Sequence, residues 1–446
     1  MRGRRSGAFL ALALLVGACT SGTPATPGSP TPAPTLVPAS PETPTPAPEG
    51  PDSAQAALER LCTVKAPKPG RDGSSVPAEG PTPPAIEQVM RQLEQIRGFD
   101  FAHPVVAQPS TQAEIARGFQ RSLDLVFPDE QYARRSTAWE TIGVIPPGTQ
   151  IRDELAEYGG TQVIGYYDTV TGELVFLGGE NPSPLESVTL AHELTHAIDD
   201  QRFGLERLDA LSAECRDDAA EGAIALVEGN ATYFMYEWAR TFLSGEQQLE
   251  LVREAGAQQP PTSDVAPFIE ALQIWPYTAG LAFVSKLEQR GGLEAVDRAF
   301  EELPVSSEQI IHPERYPNDV PTPVDVPDVS GELGQGWADL DVMDVGEVWL
   351  DTALGLRLDG AESDQASSGW DGGLYRAWTD GSHVAVVLAT TWDSEHDAQE
   401  FEGSIRRWIE GGAAIHGLVL DHEGSDVRVL FGSDAATLTL LETASA

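Results

Sequence analysis

Apolar residues recur at helical spacing over residues 84–97, where Ile86, Val89, Met90, Leu93 and Ile96 fall on one face. Residues 111–127 predict a second helix. The period then changes: residues 162–167 and 173–177 are β-branched and aromatic runs around a turn-forming Asp168 to Gly172, which predicts a β-hairpin. After Gly178-Gly179 the helical period returns. Ser183-Pro184-Leu185-Glu186 puts Ser at the N-cap, Pro at the first helical position and Glu where a capping box needs it. This helix is predicted over residues 184–203, with Gly204 as its left-handed stop. A long helix over roughly 212–243 follows, and residues 267–289 and 293–302 are helical again after the break at Pro260-Pro261. The Pro-rich stretch 313–327 reads as irregular and marks a boundary. Beyond it, a hairpin (374–378 and 383–391 around Asp380-Gly381), a helix (397–409) and two strands (415–420, 427–431) complete a second unit. The predicted class is α+β: a mainly helical domain with a small sheet over residues 53–330, then a smaller α+β domain over residues 331–446.

The first fifty residues do not share this patterning. Arg2, Arg4 and Arg5 precede an apolar run, 9–16, that is too short to span a bilayer and so predicts an export signal over residues 1–18. Val16-Gly17-Ala18-Cys19 resembles the lipobox of bacterial lipoproteins. That resemblance implies cleavage before Cys19, a lipid on its sulfur, and an anchor on the outer face of the cytoplasmic membrane. Residues 19–52 are dominated by Pro, Thr, Ser and Ala, a composition that builds no core and predicts an extended stalk. In such a compartment the remaining Cys62 and Cys215 form one disulfide or stay as two separately buried thiols. Charge narrows the partners: 69 acidic against 28 basic residues give a net charge of -41, which repels nucleic acid and leaves a solvated acidic surface.

The chemistry concentrates in His192-Glu193-Leu194-Thr195-His196, in the middle of the capped helix. Four residues make about one turn, so both imidazoles project from one face and can share a metal. Glu193, one position off that face, can reach a water without being a ligand. A site of this kind needs a third protein ligand and an open position. No His-x-x-Gly-x-x-His extension follows His196, which excludes a metzincin. The best third ligand is Glu228, an acid inside the apolar run Ala225-Leu226-Val227-Glu228-Gly229-Asn230-Ala231-Thr232, with Glu214, Glu221 and Glu237 as competitors. Asp199 and Asp200 lie three and four residues beyond His196, and either, Asp200 preferred, could accept an imidazole's second N–H. Asp217 and Asp218 are similar candidates one helix over.

These residues resemble a group of bacterial extracytoplasmic metallopeptidases. The resemblance rests on the His-Glu-x-x-His helix, the Leu226-Val227-Glu228-Gly229 segment, Tyr277-Thr278-Ala279-Gly280 with Phe283, residues 307–313 and Trp392-Asp393. The arrangement is similar to the gluzincins, and it spans roughly residues 84–401. It implies a zincin-like domain in which His192, His196 and Glu228 bind Zn2+ and Glu193 is the general base. It also implies a protein or peptide substrate whose backbone pairs with the strand before the metal helix, residues 174–177. For the oxyanion, the candidates are His312, Tyr277 and Tyr233. Two positions depart from the pattern: Thr232 stands where thermolysin-like sequences have Asp, and Gly373 where an acid is expected. The alternatives are a zinc-bearing structural or binding lipoprotein without turnover, and a cell-wall amidase using the same chemistry.

Overall fold

A computed structural model describes residues 9–13, 50, 52–64, 82–105, 107–126, 128–169, 172–179, 181–257, 264–412, 414–420 and 424–445. Cys19 and nearly all of the expected stalk lie outside the described residues. The chain begins with β1 (Phe9–Ala13), α1 (Ala54–Leu61), α2 (Pro84–Arg97), β2 (Ala107–Ser110), α3 (Gln112–Val126), α4 (Asp129–Ile142), α5 (Ile151–Thr161), β3 (Val163–Asp168) and β4 (Leu174–Leu177). Next come α6 (Pro184–Phe203), α7 (Arg207–Ala213), α8 (Asp217–Phe242), α9 (Gly245–Ala257), α10 (Pro267–Gly291), α11 (Leu293–Glu301), α12 (Ser307–Ile311) and α13 (Ser330–Leu333). The last part holds β5 (Ala338–Asp344), α14 (Glu347–Gly355), α15 (Gly360–Ser367), β6 (Trp370–Thr379), β7 (Val384–Trp392), α16 (Glu395–Glu410), β8 (His416–Val419), β9 (Asp426–Gly432) and α17 (Ala435–Ala444). The class is α+β, as the sequence predicts.

Local rules hold well around α6. Its capping box is formed in full between Ser183 and Glu186, and Gly204 ends it at φ 70. The helix is buried on nearly every side from Leu185 to Asp199, as a central helix must be. The helix expected over 212–243 is instead interrupted. Cys215 takes a left-handed φ of 52 and is disulfide-bonded to Cys62, so α7 stops short of it and α8 starts after it. The break leaves bare N–H groups at the start of α8. Asp344 accepts them, Asp217 N at 2.7 Å and Asp218 N at 3.2 Å.

The first sheet places β4 between its antiparallel partner β3 and its parallel partner β2. Along the other edge of β3 runs β1, antiparallel, with Leu12 opposite Gly165. The edge expected of residues 174–177 is therefore taken on both sides, and β3 is the strand that meets an extended segment. The second sheet, order β5-β6-β7-β9-β8, is antiparallel throughout. Gly373 sits where β6 passes Val345: a Cβ there would come 2.6 Å from the Val345 carbonyl oxygen, so no side chain fits.

One hydrophobic cluster joins the two parts of the chain. Trp139 and Phe268 of the helical part meet Trp349 of the later part edge-to-face, with ring centroids 6.3 and 5.3 Å from it. Deeper in the helical part, α8 and α10 cross in backbone contact. A Cβ on Gly229 would overlap the Gly280 carbonyl, and one on Gly280 would overlap the Ala225 carbonyl oxygen. That crossing fixes the face of α8 that looks toward α6.

Candidate metal centre

Helices α6 and α8 bring three side chains together. His192 Nε2 is 3.1 Å from Glu228 Oε2, His196 Nε2 is 3.4 Å from the same oxygen, and the two Nε2 atoms are 3.0 Å apart. Among the described residues this is the one group of three metal-ligating side chains whose atoms converge so closely. All three are at most 3% exposed. Ligand atoms about 2.0–2.2 Å from a common ion stand a little over 3 Å apart when tetrahedral, which is the spacing found. The donor set, two imidazole nitrogens and a carboxylate oxygen, fits a divalent metal.

Electrostatics prepare the donors. Burial pushes the His192 imidazole down to about 4, despite the opposing hydrogen bond with Glu228, so it is neutral at ordinary pH, the form in which an imidazole binds a metal. Burial alone would raise Glu228; the charge of His196 and the hydrogen bonds from both imidazoles overcome it and hold the carboxyl below its usual range. Glu193 is fully buried on the same helix, and a Cβ at Gly165 would come 3.1 Å from its Oε1. The backbone of β3 thus lies against the carboxylate expected to act as base.

Behind the ligands, Asp199 is buried between Arg97 and Asn230. Arg97 Nε donates to Asp199 Oδ1 at 2.7 Å and Asn230 Nδ2 to Oδ2 at 2.6 Å. Arg97 also reaches Asp297 at 2.7 Å and lies over the rings of Phe99 and Phe234. Asp199 therefore ties α2, α6 and α8 together and is filled by two donors that are not imidazoles. Asp200, preferred on sequence, serves the helix end: it accepts from the Tyr167 hydroxyl at 2.9 Å and from Leu205 N at 2.9 Å. The Nδ1 atoms of His192 and His196 have no hydrogen-bond partner among the described residues.

The oxyanion candidates separate clearly. Tyr277 stacks on His192, ring centroids 6.1 Å apart and 27° between planes. His312 is engaged elsewhere, 3.0 Å from Glu347 Oε1, which raises its pKa. Tyr233 packs edge-on against Phe234, and its hydroxyl is raised by burial and then by Glu288 and Glu237, away from the three ligands. Asp217 and Asp218 begin α8, about 15 Å along its axis from Glu228.

A cavity of about 390 Å3 opens from this centre, and Glu228, Tyr158 and Tyr277 line it. Tyr158 is 4% exposed and its hydroxyl has no hydrogen-bond partner among the described residues. Burial, then the charges of Glu228 and Glu270, raise its pKa well above the usual phenol range, so it remains a donor. Sequence reading passed over it because α5 was not predicted. Ile151, Leu155 and Tyr158, spaced four and three apart, carried the helical period that would have exposed it. The cavity's far end holds carboxylates. Burial pushes Asp218 up to about 7, and burial with Asp218 and Asp217 as neighbours pushes Glu221 up to about 8.

Among the described residues no helix is long and apolar enough to cross a membrane. No curated protein and no solved structure matches the chain. Residues 337–442, the part built on the five-stranded sheet, match a domain of unknown function, DUF8575.

Proposed function

We propose that this protein is a zinc metallopeptidase of zincin-like fold, exported and anchored outside the cytoplasmic membrane by a lipid on Cys19. The observation that carries this reading is the convergence of His192, His196 and Glu228 within 3.4 Å, with Glu193 on the same helix facing β3. Export draws support from the Cys62–Cys215 disulfide, a bond that persists in oxidising compartments.

When bound by these three ligands, zinc supplies Lewis acidity toward the substrate carbonyl and a water. The chain's own residues do the rest. Cleavage before Cys19 would remove Phe9–Ala13 and open the edge of β3 along which that segment runs, and an extended peptide pairs there in the same antiparallel sense. Gly165, having no side chain, lets that backbone and the peptide come up to Glu193. Glu193 takes the proton of the attacking water and returns it to the leaving amine. Tyr158 and Tyr277 border the same space and offer hydroxyls to the developing oxyanion.

The test is hydrolysis of a quenched peptide library by the zinc-loaded protein beside its Glu193→Gln variant at equal metal content. Cleavage by the parent alone is the expected result. A zinc-loaded parent that cuts no peptide, or a variant as active as the parent, overturns the assignment.

A further inference from the structure

The cavity behind Glu228 has a chemistry of its own. On α8, Glu221, Ile224 and Glu228 are spaced three and four residues apart, share one face, and all line it. Glu221 and Glu228 are separated by about 10 Å of helix rise. At the far end Asp217, Asp218 and Asp344 join Glu221, while Arg135 is the cation in the lining. Arg135 is already spent, 2.6 Å from Asp217 and 3.2 Å from Asp341. Asp344 is spent as well, on the first N–H groups of α8, and Asp218 on Ser307 N at 3.2 Å. Glu221 Oε1 and Asp217 Oδ2 are buried atoms with no hydrogen-bond partner among the described residues.

A second, independent feature points to a guest. Three polar groups on residues more than nine-tenths buried line the same cavity without a partner among the described residues: the Tyr158 hydroxyl, Trp139 Nε1 and Trp349 Nε1. A space meant for hydrocarbon would leave these groups dry, at a penalty for each. An acidic guest would meet unpaired carboxylates with no free cation to receive it. A peptide guest whose side chain has an apolar stem and a positive head suits both halves: its carbonyls can accept from the Trp139, Trp349 and Tyr158 donors, the aromatic and aliphatic walls take the stem, and the carboxylates take the head.

We propose, on the basis of the peptidase reading above, that the cavity is a specificity pocket for a basic side chain, in which the lysine or arginine next to the cleaved bond passes Ile224 and sets its charged head against Glu221. The length fits. From a backbone held on β3, whose Val163 also lines the cavity, an extended lysine or arginine reaches roughly 6–7 Å, comparable with most of the rise between Glu228 and Glu221. The substrate class is therefore peptides with a basic residue at that position.

The experiment compares quenched peptides that differ only at the residue following the cleaved bond: Arg, Lys, Gln, Leu or Glu. The expected kcat/KM for Arg or Lys exceeds that for Leu by at least about tenfold, with Glu the poorest. Glu221→Gln, a near-isostere, is expected to shrink the Arg-to-Leu ratio about tenfold. Leu or Gln preferred over Arg and Lys overturns the proposal, and so does a ratio that Glu221→Gln leaves unchanged. Calorimetric binding of N-acetyl-arginine amide against N-acetyl-leucine amide to the zinc-loaded Glu193→Gln protein separates the two readings. If the parent cuts no peptide yet the arginine amide binds at least about tenfold tighter, the pocket stands and the peptidase reading falls. Equal binding overturns the pocket whatever the protein cleaves.

Discussion

Glu228 and Glu221 sit two turns apart on the same face of α8 and line the same cavity, yet their carboxyls are displaced in opposite directions. Glu228 is held below its usual range by two imidazoles; Glu221 is pushed up to about 8 by burial beside other carboxylates. Helix, face and residue type are common to both, and Glu221 is the less enclosed of the two. The partners decide the direction. A buried acid is ionised where cationic or donor groups converge on it, and stays protonated where they do not. One end of this face thus meets two imidazoles, and the other meets only further carboxylates.

The sharpest way to break the comparison is to remove an imidazole. His196→Ala strips Glu228 of its strongest stabilising charge and should make it resemble Glu221. The expected outcome is loss of the metal and of all peptide cleavage, read by metal analysis and the peptide assay. The carboxyl should also move upward, visible as a carboxylic acid band in the infrared difference spectrum. A milder change, Glu193→Gln, keeps the ligands and should lower kcat by about 10²–10⁴-fold, as removal of a general base does.

The next largest effect concerns the frame that holds the imidazole end still. Asp199→Ala leaves the buried Arg97 guanidinium without its partner on α6, and should destabilise the fold by about 3–5 kcal/mol in denaturant titration. Cys62→Ser releases the disulfide that closes a loop of 153 residues, with an expected loss of about 2–5 kcal/mol.

The smallest effect sharpens the contrast through pH. Asp218 and Glu221 have folded-state values of about 7 and about 8, above the usual carboxylate range near 4. Between those limits the folded state binds more protons than the unfolded, so their contribution is full in acid and is lost as pH rises toward 8. Glu228, lowered, does the opposite: its contribution is present above the usual carboxylate range and is lost as pH falls below it. Metal-free protein should therefore lose stability from pH 5 to pH 8 in chemical denaturation, and Glu221→Gln should flatten that slope.

How much of this was legible in the sequence follows from the range of the forces involved. The capped helix, its stop at Gly204, the hairpin and most elements after residue 260 rest on local propensities, and they stand where the periodicity predicts them. The convergence of His192 and His196 was legible because one turn puts them together, and that of Glu228 because an acid in an apolar run needs a partner. Part of the miss was local, since Ile151, Leu155 and Tyr158 of α5 carry the helical period; the rest was long-range. The break at Cys215 comes with a bond to Cys62, 153 residues away. Asp200 was preferred to Asp199 because nothing local reveals that Tyr167 claims the one and Arg97 the other. The strand beside Glu193 is β3 rather than residues 174–177 because pairing with β2 closes the other edge of β4. Tyr158 and the acidic far end of the cavity depend on helices that meet only in the folded chain.

The most direct test of the central claim is the metal content of the purified, zinc-reconstituted protein beside His196→Ala and Glu193→Gln. The account predicts about one zinc per chain in the parent and in Glu193→Gln, and essentially none in His196→Ala. A parent that holds no metal, or a His196→Ala variant that holds as much as the parent, would contradict it.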